Sequence, residues 1–291
     1  MESGDKPPEH RKAIEIGDVL GGRYKIQQIL SESGAVGVYL AVHQHLESMV
    51  AVKVMFCRVT DDENMFLRFK REGSLAARLR HKNICQLQDF WIGEDGYPVM
   101  VMEFVSGPNL ISVISGMKDN PDLTVIKSII HQLLDALEYA HNVGIIHRDI
   151  TPSNVMLEGQ TVKLIDFGMA KSLYDTSSKV SMEGTIYGTP TFMSPEQITC
   201  VPLDNRTDLY SLGCVFYLML TGRPPFRNEN VVKLMRAHLH EEPDLQLDGI
   251  NASLIPIVAK LLEKDREKRY QSAAEVREDL IRIDAKPGNI V

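Results

Sequence analysis

Hydrophobic residues in the first third of the chain gather in short runs rich in valine, isoleucine, leucine and aromatic side chains, which is typical of β-strands. Glycine and serine separate these runs. We predict strands at Tyr24 to Leu30, Val36 to His43, Met49 to Phe56, Cys85 to Ile92 and Pro98 to Val105. One helix is predicted among them, over about 61–80, because the two aspartates at its start suit a helix N-terminus.

Beyond Ser106-Gly107 the hydrophobic residues recur at spacings of three and four, which predicts helices. The clearest helix carries isoleucines and leucines from Ile126 to Leu137 and is closed by Gly144. The segment Leu209 to Leu220 is apolar nearly all round, so we expect a buried helix there. Near the end, Ser272 to Glu275 matches a capping box that would begin the last helix.

Strands first and helices afterwards predict an α+β fold with two lobes, a small mainly-β lobe with one helix and a larger mainly-α lobe. We place the lobes at 18–105 and 106–284, with a hinge at the Ser106-Gly107 turn. Residues 1–17 are charged and contain Pro7-Pro8, so we expect a flexible tail rather than a signal peptide. Residues 285–291 are expected to be a second tail or the start of a linker.

The overall composition limits the possible functions. Hydrophobic residues make up 44% and charged residues 24% of the chain, as in ordinary soluble domains. The net charge of −7 argues against binding nucleic acid, which needs clustered lysine and arginine. The longest apolar run, Leu212 to Leu220, is about half as long as a membrane span. The four cysteines are far apart, so we expect free thiols in a reducing, cytoplasmic compartment.

Lys53 lies in a predicted strand, where alternation puts it on the same face as Ala51 and Met55. A lysine among apolar residues is costly unless its charge is met, although a lysine at a sheet edge can also reach water. Glu72 shares a face of the predicted helix with apolar residues, and taken alone it fits a solvated glutamate as well. Together the two positions predict an ion pair that would hold the lysine toward phosphate oxygens.

A second group of polar residues lies in the helical part of the chain. Asp149 follows His147-Arg148 in a predicted loop, and Asn154 comes five residues later. Asp166 follows an apolar strand, Val162 to Ile165, and precedes a Phe-Gly pair. Magnesium prefers a few protein oxygens together with phosphate. The ordered set therefore indicates phosphoryl transfer, with one carboxylate to orient a hydroxyl and an amide and a second carboxylate to hold metal.

With these residues in this order, the chain resembles the eukaryotic-type serine/threonine protein kinases, of the kind also found in bacteria. The resemblance covers roughly Tyr24 to Ile283. The matching positions are Ala51-Val52-Lys53, Glu72, His147-Arg148-Asp149, Asn154, Asp166-Phe167-Gly168, Ser194-Pro195-Glu196, Asp208 and Arg269. The resemblance implies the bilobal protein kinase fold and transfer of the ATP γ-phosphoryl group to serine and threonine hydroxyls of proteins, with Mg²⁺ or, as an alternative, Mn²⁺.

The resemblance also implies roles for individual residues. Asp149 would be the catalytic base, and Lys53, held by Glu72, would contact the α- and β-phosphates. Asn154 and Asp166 would bind the metal ion. The implied adenine pocket consists of Leu30, Val38, Ala51, the gatekeeper Met102, and the backbone of Glu103 and Val105. From the sequence alone, each of these pocket residues is also an ordinary core residue of a strand.

The stretch from Asp166 to Glu196 is 31 residues long, a full activation segment that small-molecule kinases usually lack. The resemblance implies that Glu196 pairs with Arg269 and braces a platform for a peptide. It also implies that Thr189 favours Ser/Thr acceptors and that Asp208 braces the catalytic loop, although an aspartate there suits a helix N-cap too.

The same segment contains several hydroxyl side chains, which in most loops are only polar filler. Arg148 directly precedes the implied catalytic Asp149, and an arginine in this place can receive a phosphate. We therefore predict activation by autophosphorylation, with Ser181 or Thr185 as the site.

The phosphate-binding loop departs from the family pattern. Its three glycine places hold Ser31, Ser33 and Val36, and an alternative alignment uses Gly34 and Gly37 after a one-residue deletion. Glycines let backbone amides approach phosphates closely, and valine is stiffer. We predict weakened ATP binding rather than none.

Thr151 is the other departure, because the family pattern has a lysine there. A lysine would help to neutralise the transferred phosphoryl group, and losing such an electrostatic contact can cost roughly a hundred-fold in rate. These departures keep open an alternative from a different class, a pseudokinase scaffold with weak or no catalysis.

Overall fold

A computed structural model describes residues 13–33, 36–58, 60, 62–117, 121–167, 190–246 and 252–285 of the chain. These residues form two compact units. The first contains the described residues up to Arg80 together with Cys85–Val105, and the second contains His81–Ile84 together with those from Ser106 onward. The predicted positions that lie outside the described residues are Gly34, Gly168, Ser181, Thr185 and Thr189.

The first unit is built on an antiparallel sheet whose strand order, in its described part, is β1-β2-β3-β4-β6-β5. The strands are β1 Val19–Leu20, β2 Tyr24–Ser33, β3 Val36–His43, β4 Met49–Met55, β5 Leu87–Ile92 and β6 Pro98–Glu103. All five predicted strands are confirmed, because β-branched and aromatic runs fit a half-buried pleated surface. β2 continues past its predicted end at Leu30, since Ser31 pairs with Val38 and Ser33 with Val36.

Alternation along the strands separates the two faces of this sheet. One face forms the larger core, which includes the fully buried Tyr39, Val52 and Val101. The other face carries Ala51, Lys53 and Met55, as predicted. Val38 pairs with Lys53, and Ala51 pairs with Met102. Because directly opposed residues of antiparallel strands point to the same side, Val38 and Met102 belong to the lysine face as well.

Helix α1 (Glu63–Ala76) packs on the lysine face. It begins at Asp62, whose side chain accepts a 2.9 Å hydrogen bond from the amide of Met65. Phe69 on its buried side contacts Met55 and Met100. The helix ends before the predicted Arg80, because the next amides bond three residues back and tighten the chain into a turn.

The second unit is mainly helical. Its helices are α2 Leu110–Gly116, α3 Leu123–Asn142, α4 Pro195–Ile198, α5 Arg206–Thr221, α6 Val231–His240, α7 Ile255–Leu261 and α8 Ala273–Asp284. Short 3-10 turns occupy Pro152–Asn154 and Pro190–Phe192, and two strands, β7 Val155–Glu158 and β8 Thr161–Leu164, form a small antiparallel sheet. α3 follows the predicted periodicity, and Gly144 directly beyond it has φ of 73°. No helix among the described residues is long and apolar enough to cross a membrane.

At two helix starts the structure differs from what the sequence allowed: the alternative role of Asp208 as an N-cap is wrong, and the predicted capping box is incomplete. Asp208 is not the N-cap of α5: Asn205 is, and Asp208 lies in the first turn with its side chain completely buried. At α8, Ser272 accepts a hydrogen bond from the amide of Glu275, but the Glu275 carboxylate accepts from the amide of Gln271 rather than that of Ser272. The predicted capping box is therefore only half formed, because the preceding amide is the nearer donor.

Gly107, in the predicted hinge turn, lies against β7 within the second unit. A Cβ atom at this position would be 1.5 Å from the carbonyl oxygen of Leu157. The neighbouring Pro108 carbonyl accepts a 2.9 Å hydrogen bond from the amide of Leu157. The turn therefore needs glycine because the two backbones meet without room for a side chain.

Candidate active site

The predicted ion pair in the first unit is present. The Nζ atom of Lys53 lies 2.7 Å from Oε1 of Glu72, and the two side chains are 2% and 10% exposed. The β4 pleat directs the lysine toward α1, and α1 presents the glutamate beside Phe69. A lysine buried this deeply keeps its charge only with such a partner. The ion pair predicted from the apolar neighbours of Lys53 in its strand and of Glu72 in its helix is therefore confirmed.

The residues predicted to contact adenine differ in their surroundings. Val38, Ala51 and Met102 are partly buried on the same sheet face as Lys53. Leu30 lies at a β-bulge between Ile29 and Ser31 and is 42% exposed. Three apolar side chains thus share the face of the paired lysine, as an apolar lining for a flat base requires.

The backbone at the end of β6 already makes hydrogen bonds within the first unit. The amide of Glu103 donates to the carbonyl of Gln86 at 2.9 Å. The Glu103 carbonyl accepts a hydrogen bond from the Cys85 thiol at 3.3 Å. Val105 is buried. Backbone contacts to adenine were predicted for Glu103 and Val105, and the amide of Glu103 is occupied by its bond to Gln86.

The β2–β3 hairpin takes the place of a glycine-rich loop. Gly37 is explained by packing, because a Cβ there would be 2.6 Å from both Tyr39 and Phe56. Glu32 pairs with Gly37, so its side chain is on the Tyr39 face, and its carboxylate accepts a hydrogen bond from the Tyr39 hydroxyl. The negative charge of Glu32 is therefore directed away from the face that carries Lys53.

In the second unit, Asp149 is held by the residues that follow it. The amide nitrogen Nδ2 of Asn154 donates to both the carbonyl and the carboxylate of Asp149, each at 2.9 Å. The 3-10 turn Pro152–Asn154 brings these two residues together, with Pro152 at its start fixing φ. Because Nδ2 makes both bonds, the Asn154 side-chain oxygen is left as an acceptor. Asp149 and Asn154, five residues apart in the sequence, are therefore in direct contact.

Asp208 fixes the backbone just before Asp149. Its carboxylate accepts hydrogen bonds from the amides of His147 at 2.9 Å and Arg148 at 2.8 Å, and it lies 2.8 Å from Nε2 of His141. Arg148 is thereby kept at φ of 69°, a conformation that non-glycine residues adopt at a cost. The implied role of Asp208 as a brace for this loop is thus seen as direct contacts.

The ionised form of Asp208 is favoured despite its burial. Burial opposes ionisation, but the hydrogen bond and charge of His141, together with the His147 amide, outweigh it and lower the pKa of Asp208. His141 carries no motif in our sequence analysis and was missed. Its position on α3, next to the loop that follows, gave no signal beyond an ordinary helical histidine.

Asp166 is tied to the same loop through its neighbours. The amide of Ile165 donates to the carbonyl of Asn154, and Nε2 of His147 lies 2.9 Å from the carbonyl of Ile165. Phe167 packs edge-on against the His147 ring, with centroids 4.6 Å apart. Asp166 itself has φ of 58°, so the segment between β8 and Phe167 holds the carboxylate in a strained backbone position.

The predicted pair of Glu196 and Arg269 is confirmed. Nη1 and Nη2 of Arg269 donate to the two carboxylate oxygens of Glu196 at 2.6 and 2.8 Å, and Thr207 donates to the same carboxylate at 2.9 Å. Burial opposes ionisation of Glu196, but Arg269 outweighs it and lowers the pKa of Glu196. Next to this pair, Gln197 donates to the carbonyl of Arg148 at 2.7 Å, a link that the sequence did not indicate.

The comparisons with known proteins agree with this geometry. The family model described as the protein kinase domain matches residues 24–280. The serine/threonine-protein kinase PknB of Mycobacterium tuberculosis is 37% identical over 271 residues, which is 91% of this chain and 43% of PknB. The probable serine/threonine-protein kinase SCO3848 of Streptomyces coelicolor is 40% identical over 272 residues, 90% of this chain and 40% of its own length. The chain thus spans less than half of these relatives.

A solved structure shows the same fold. The kinase domain of PknI from Mycobacterium tuberculosis superposes with a TM-score of 0.72 at 25% identity, covering 94% of this chain and all of the PknI domain.

Proposed function

The chain belongs to the protein kinase family, and from this premise we propose that it transfers the γ-phosphoryl group of ATP to serine and threonine hydroxyls of proteins. The family itself implies use of ATP and a divalent metal ion. The observation that carries the proposal is the Asp149–Asn154 arrangement, in which one side chain holds a carboxylate and keeps an oxygen for a cation.

Asp149 acts on the acceptor in this proposal. Its carboxylate orients the substrate hydroxyl and accepts the proton as the oxygen attacks phosphorus. The hydrogen bond from Asn154 and the strained Arg148 backbone before it keep the carboxylate in place, so little reorganisation accompanies the reaction.

We propose Mg²⁺ as the metal, with Mn²⁺ as its substitute. The donors fit a hard cation, because Asn154 offers an amide oxygen and Asp166 a carboxylate, and magnesium takes a few such oxygens beside phosphate. When bound, the ion neutralises charge on the phosphate oxygens. The Ile165 amide bonded to the Asn154 carbonyl links the two ligand-bearing segments.

Lys53 supplies positive charge to the α- and β-phosphates, and Glu72 keeps that charge in place. Val38, Ala51 and Met102 give the adenine ring apolar contacts, and the carbonyl of Glu103 accepts from its amino group. Because Ser31 and Val36 are paired strand residues and not glycines, the hold on phosphate is weaker than a glycine loop would give.

We propose regulation by phosphorylation of the activation segment, with Ser181 or Thr185 as the acceptor and Thr189 favouring hydroxyl substrates. Nε of Arg148 is buried and has no hydrogen-bond partner among the described residues. A buried guanidinium nitrogen calls for an acceptor, and a phosphate on this segment would supply one.

The side chains that the proposed transfer needs are all present, which supports catalysis over a scaffold role. They are Lys53, Glu72, Asp149, Asn154 and Asp166. All four cysteines are free thiols, which supports a reducing, cytoplasmic site of action for this part of the protein.

The experiment is transfer of radiolabelled phosphate from ATP to the chain itself and to a generic basic protein, with Mg²⁺ and with Mn²⁺. Asp149→Asn is the control, since it keeps the size of the side chain and removes the base. We expect incorporation that depends on Asp149, and phosphopeptides from the activation segment. Incorporation no higher than in the control would instead support the scaffold alternative.

A further inference from the structure

Lys264 lies between α7 and α8, in the second unit, and its ammonium group is enclosed by aromatic side chains. Nζ is 4.0 Å from the ring centroid of Phe226 and 5.7 Å from that of Tyr210. The residue is partly buried. Neither catalysis nor the peptide platform uses this side chain in the function proposed above.

The polar contacts of Lys264 are few and long. Its nearest acceptors are the Tyr210 hydroxyl at 3.4 Å and the carbonyl of Ala237 at 3.5 Å. No carboxylate of the described residues forms an ion pair with it. Aromatic faces and distant oxygens stabilise an ammonium ion less than a carboxylate in contact would. The site therefore favours the neutral amine more than an exposed position does.

The electrostatic balance points the same way. Burial lowers the pKa of Lys264 to about 8, and the charge of Arg269 acts in the same direction. The Cys214 thiol and the carboxylates of Glu242 and Glu241 oppose the change without cancelling it. At pH 7 the amine of a lysine with a pKa of about 8 is neutral in about one molecule in ten. At the reference pKa of lysine, the amine is neutral in about one molecule in 2,500.

A desolvated lysine with a free lone pair is a nucleophile toward carbonyl carbon. We propose that Lys264 is a modification site that takes an acyl group from small acyl phosphates without an enzyme. The Nζ lone pair attacks the carbonyl carbon, the N–C bond forms, and the C–O bond to phosphorus-bound oxygen breaks. Phosphate leaves and carries away the proton that nitrogen loses, so the products are the amide and hydrogen phosphate.

Two exposed lysines close by serve as matched comparators. Lys260 on α7 also lies over an aromatic ring, with Nζ 4.0 Å from the centroid of Tyr270, but it is exposed to solvent. Lys233 on α6 is exposed as well. If an aromatic contact alone were sufficient, Lys260 would react as Lys264 does. Burial without a carboxylate distinguishes Lys264 from both.

The test uses acetyl phosphate as the probe and the whole chain as the protein. The folded chain is incubated with it at a series of pH values, and acetylation of each lysine is followed by quantitative peptide mass spectrometry. A larger fraction of Lys264 is neutral at pH 7, but an amine of lower pKa is also a weaker nucleophile, which offsets part of this gain. Near pH 7 we therefore expect Lys264 to react about tenfold faster than Lys260 and Lys233. Its rate should level off above about pH 8 while theirs keep rising.

A parallel incubation in concentrated urea separates structure from local sequence. There we expect Lys264 to lose its advantage, because unfolding removes the enclosure by Phe226 and Tyr210. The proposal is overturned if Lys264 reacts no faster than the two comparators in the folded chain, or if its advantage persists in urea. Since the readout is acetyl content, it does not depend on kinase activity.

Discussion

The Lys53–Glu72 pair shows how a buried charge is met by an opposite charge. Both side chains are nearly inaccessible, and they meet at 2.7 Å. Removing one member leaves the other charged in an apolar layer beside Met55 and Phe69, whereas replacing both by apolar residues can be close to neutral for stability. Apolar residues at both positions can therefore preserve stability, whereas the proposed function needs the charges.

We predict that Glu72→Leu lowers the free energy of unfolding of the first unit by about 3 kcal/mol, and that Lys53→Met/Glu72→Leu restores most of that loss. Neither variant should transfer phosphate at a useful rate. Urea unfolding followed by the fluorescence of Trp91 measures this, since that single tryptophan lies in β5 of the first unit. A double variant no more stable than Glu72→Leu contradicts the prediction.

Thr151 illustrates a charge that is missing rather than buried. It precedes Pro152 in the catalytic loop, and its hydroxyl lies 2.8 Å from that of Ser153. A hydroxyl pair can hold the turn but gives no positive charge to a transferring phosphoryl group. In the proposed transfer, position 151 therefore contributes no electrostatic stabilisation by a positive charge.

We predict that Thr151→Lys raises kcat about tenfold, because it adds the charge where the phosphoryl group is transferred. Ser153→Lys is the matched control: it adds the same charge two residues later, on an exposed side chain, and should change kcat little. Steady-state phosphorylation of a peptide substrate measures both variants. An equal effect of the two lysines would show that general charge, and not its position, controls the rate.

Among the elements, strands and their ends were predicted best where the strand's own hydrophobic run determines them. β3 begins and ends where its hydrophobic run does. β2 runs on to Ser33 because the pairing partner, and not its own polar sequence, extends it. The aspartate start of α1 was predicted, but its end was not, because no glycine or proline marks it and tertiary packing decides.

The site divides in the same way between what spacing determines and what packing determines. The spacing of Asp149 and Asn154 is short enough for one turn to bring them together. The contacts of Asp208 with His141 join residues 67 positions apart, which the sequence does not reveal without the fold. In the sequence, Gly37 is a candidate glycine of the phosphate loop and Gly107 a hinge glycine, whereas in the structure both lie where a Cβ would meet neighbouring atoms.

Helix α5 gives a prediction at the scale of one element. It is buried along most of its length, and a Cβ at Gly213 would be 2.7 Å from Cβ of Leu261 on α7. We predict that Gly213→Ala destabilises the second unit by about 1–3 kcal/mol, because both backbones would have to move apart. Thermal unfolding followed by circular dichroism measures it.

Gly116→Ala is the matched control for α5, since Gly116 is also helical and, among the described residues outside its own helix and chain neighbours, none has an atom within 4 Å of its would-be Cβ. That change should be neutral or stabilise by up to about 1 kcal/mol. If both alanines destabilise equally, the close approach of α5 and α7 is not what makes Gly213 necessary.

At the scale of the whole molecule, buried ionisable groups set the response to acid. Glu196 and Asp208 have pKa values lowered by their partners, so each stabilises the fold above its unfolded pKa of about 4 and loses that contribution as the pH falls through its folded pKa. Their loss therefore begins only in strongly acidic solution. Between pH 4 and neutrality, His81 and His238 are histidines whose pKa values burial lowers.

His238 on α6 is the more deeply buried of the two. It is completely buried, 3.0 Å from the Tyr210 hydroxyl and edge-on to Phe226, and burial lowers its pKa to about 4, with the charge of Lys264 adding to the effect. In the unfolded chain a histidine titrates near about 6.5. As the pH falls below that value, His238 binds a proton in the unfolded state but stays neutral in the folded state. The contribution of His238 to stability therefore decreases until about pH 4 and is constant above about pH 6.5.

We predict that this histidine costs the chain about 3 kcal/mol of unfolding free energy between pH 7 and pH 4. His238→Gln keeps an acceptor for Tyr210 but does not titrate, so its stability should depend less on pH by that amount. His240→Gln, exposed on the same helix, should keep the wild-type slope. Urea unfolding followed by circular dichroism at several pH values measures the unfolding free energy of the wild type and both variants. If this free energy depends equally on pH in the two glutamine variants, His238 is excluded as an acid-sensitive residue. The folded chain would then bind that proton as readily as the unfolded chain does.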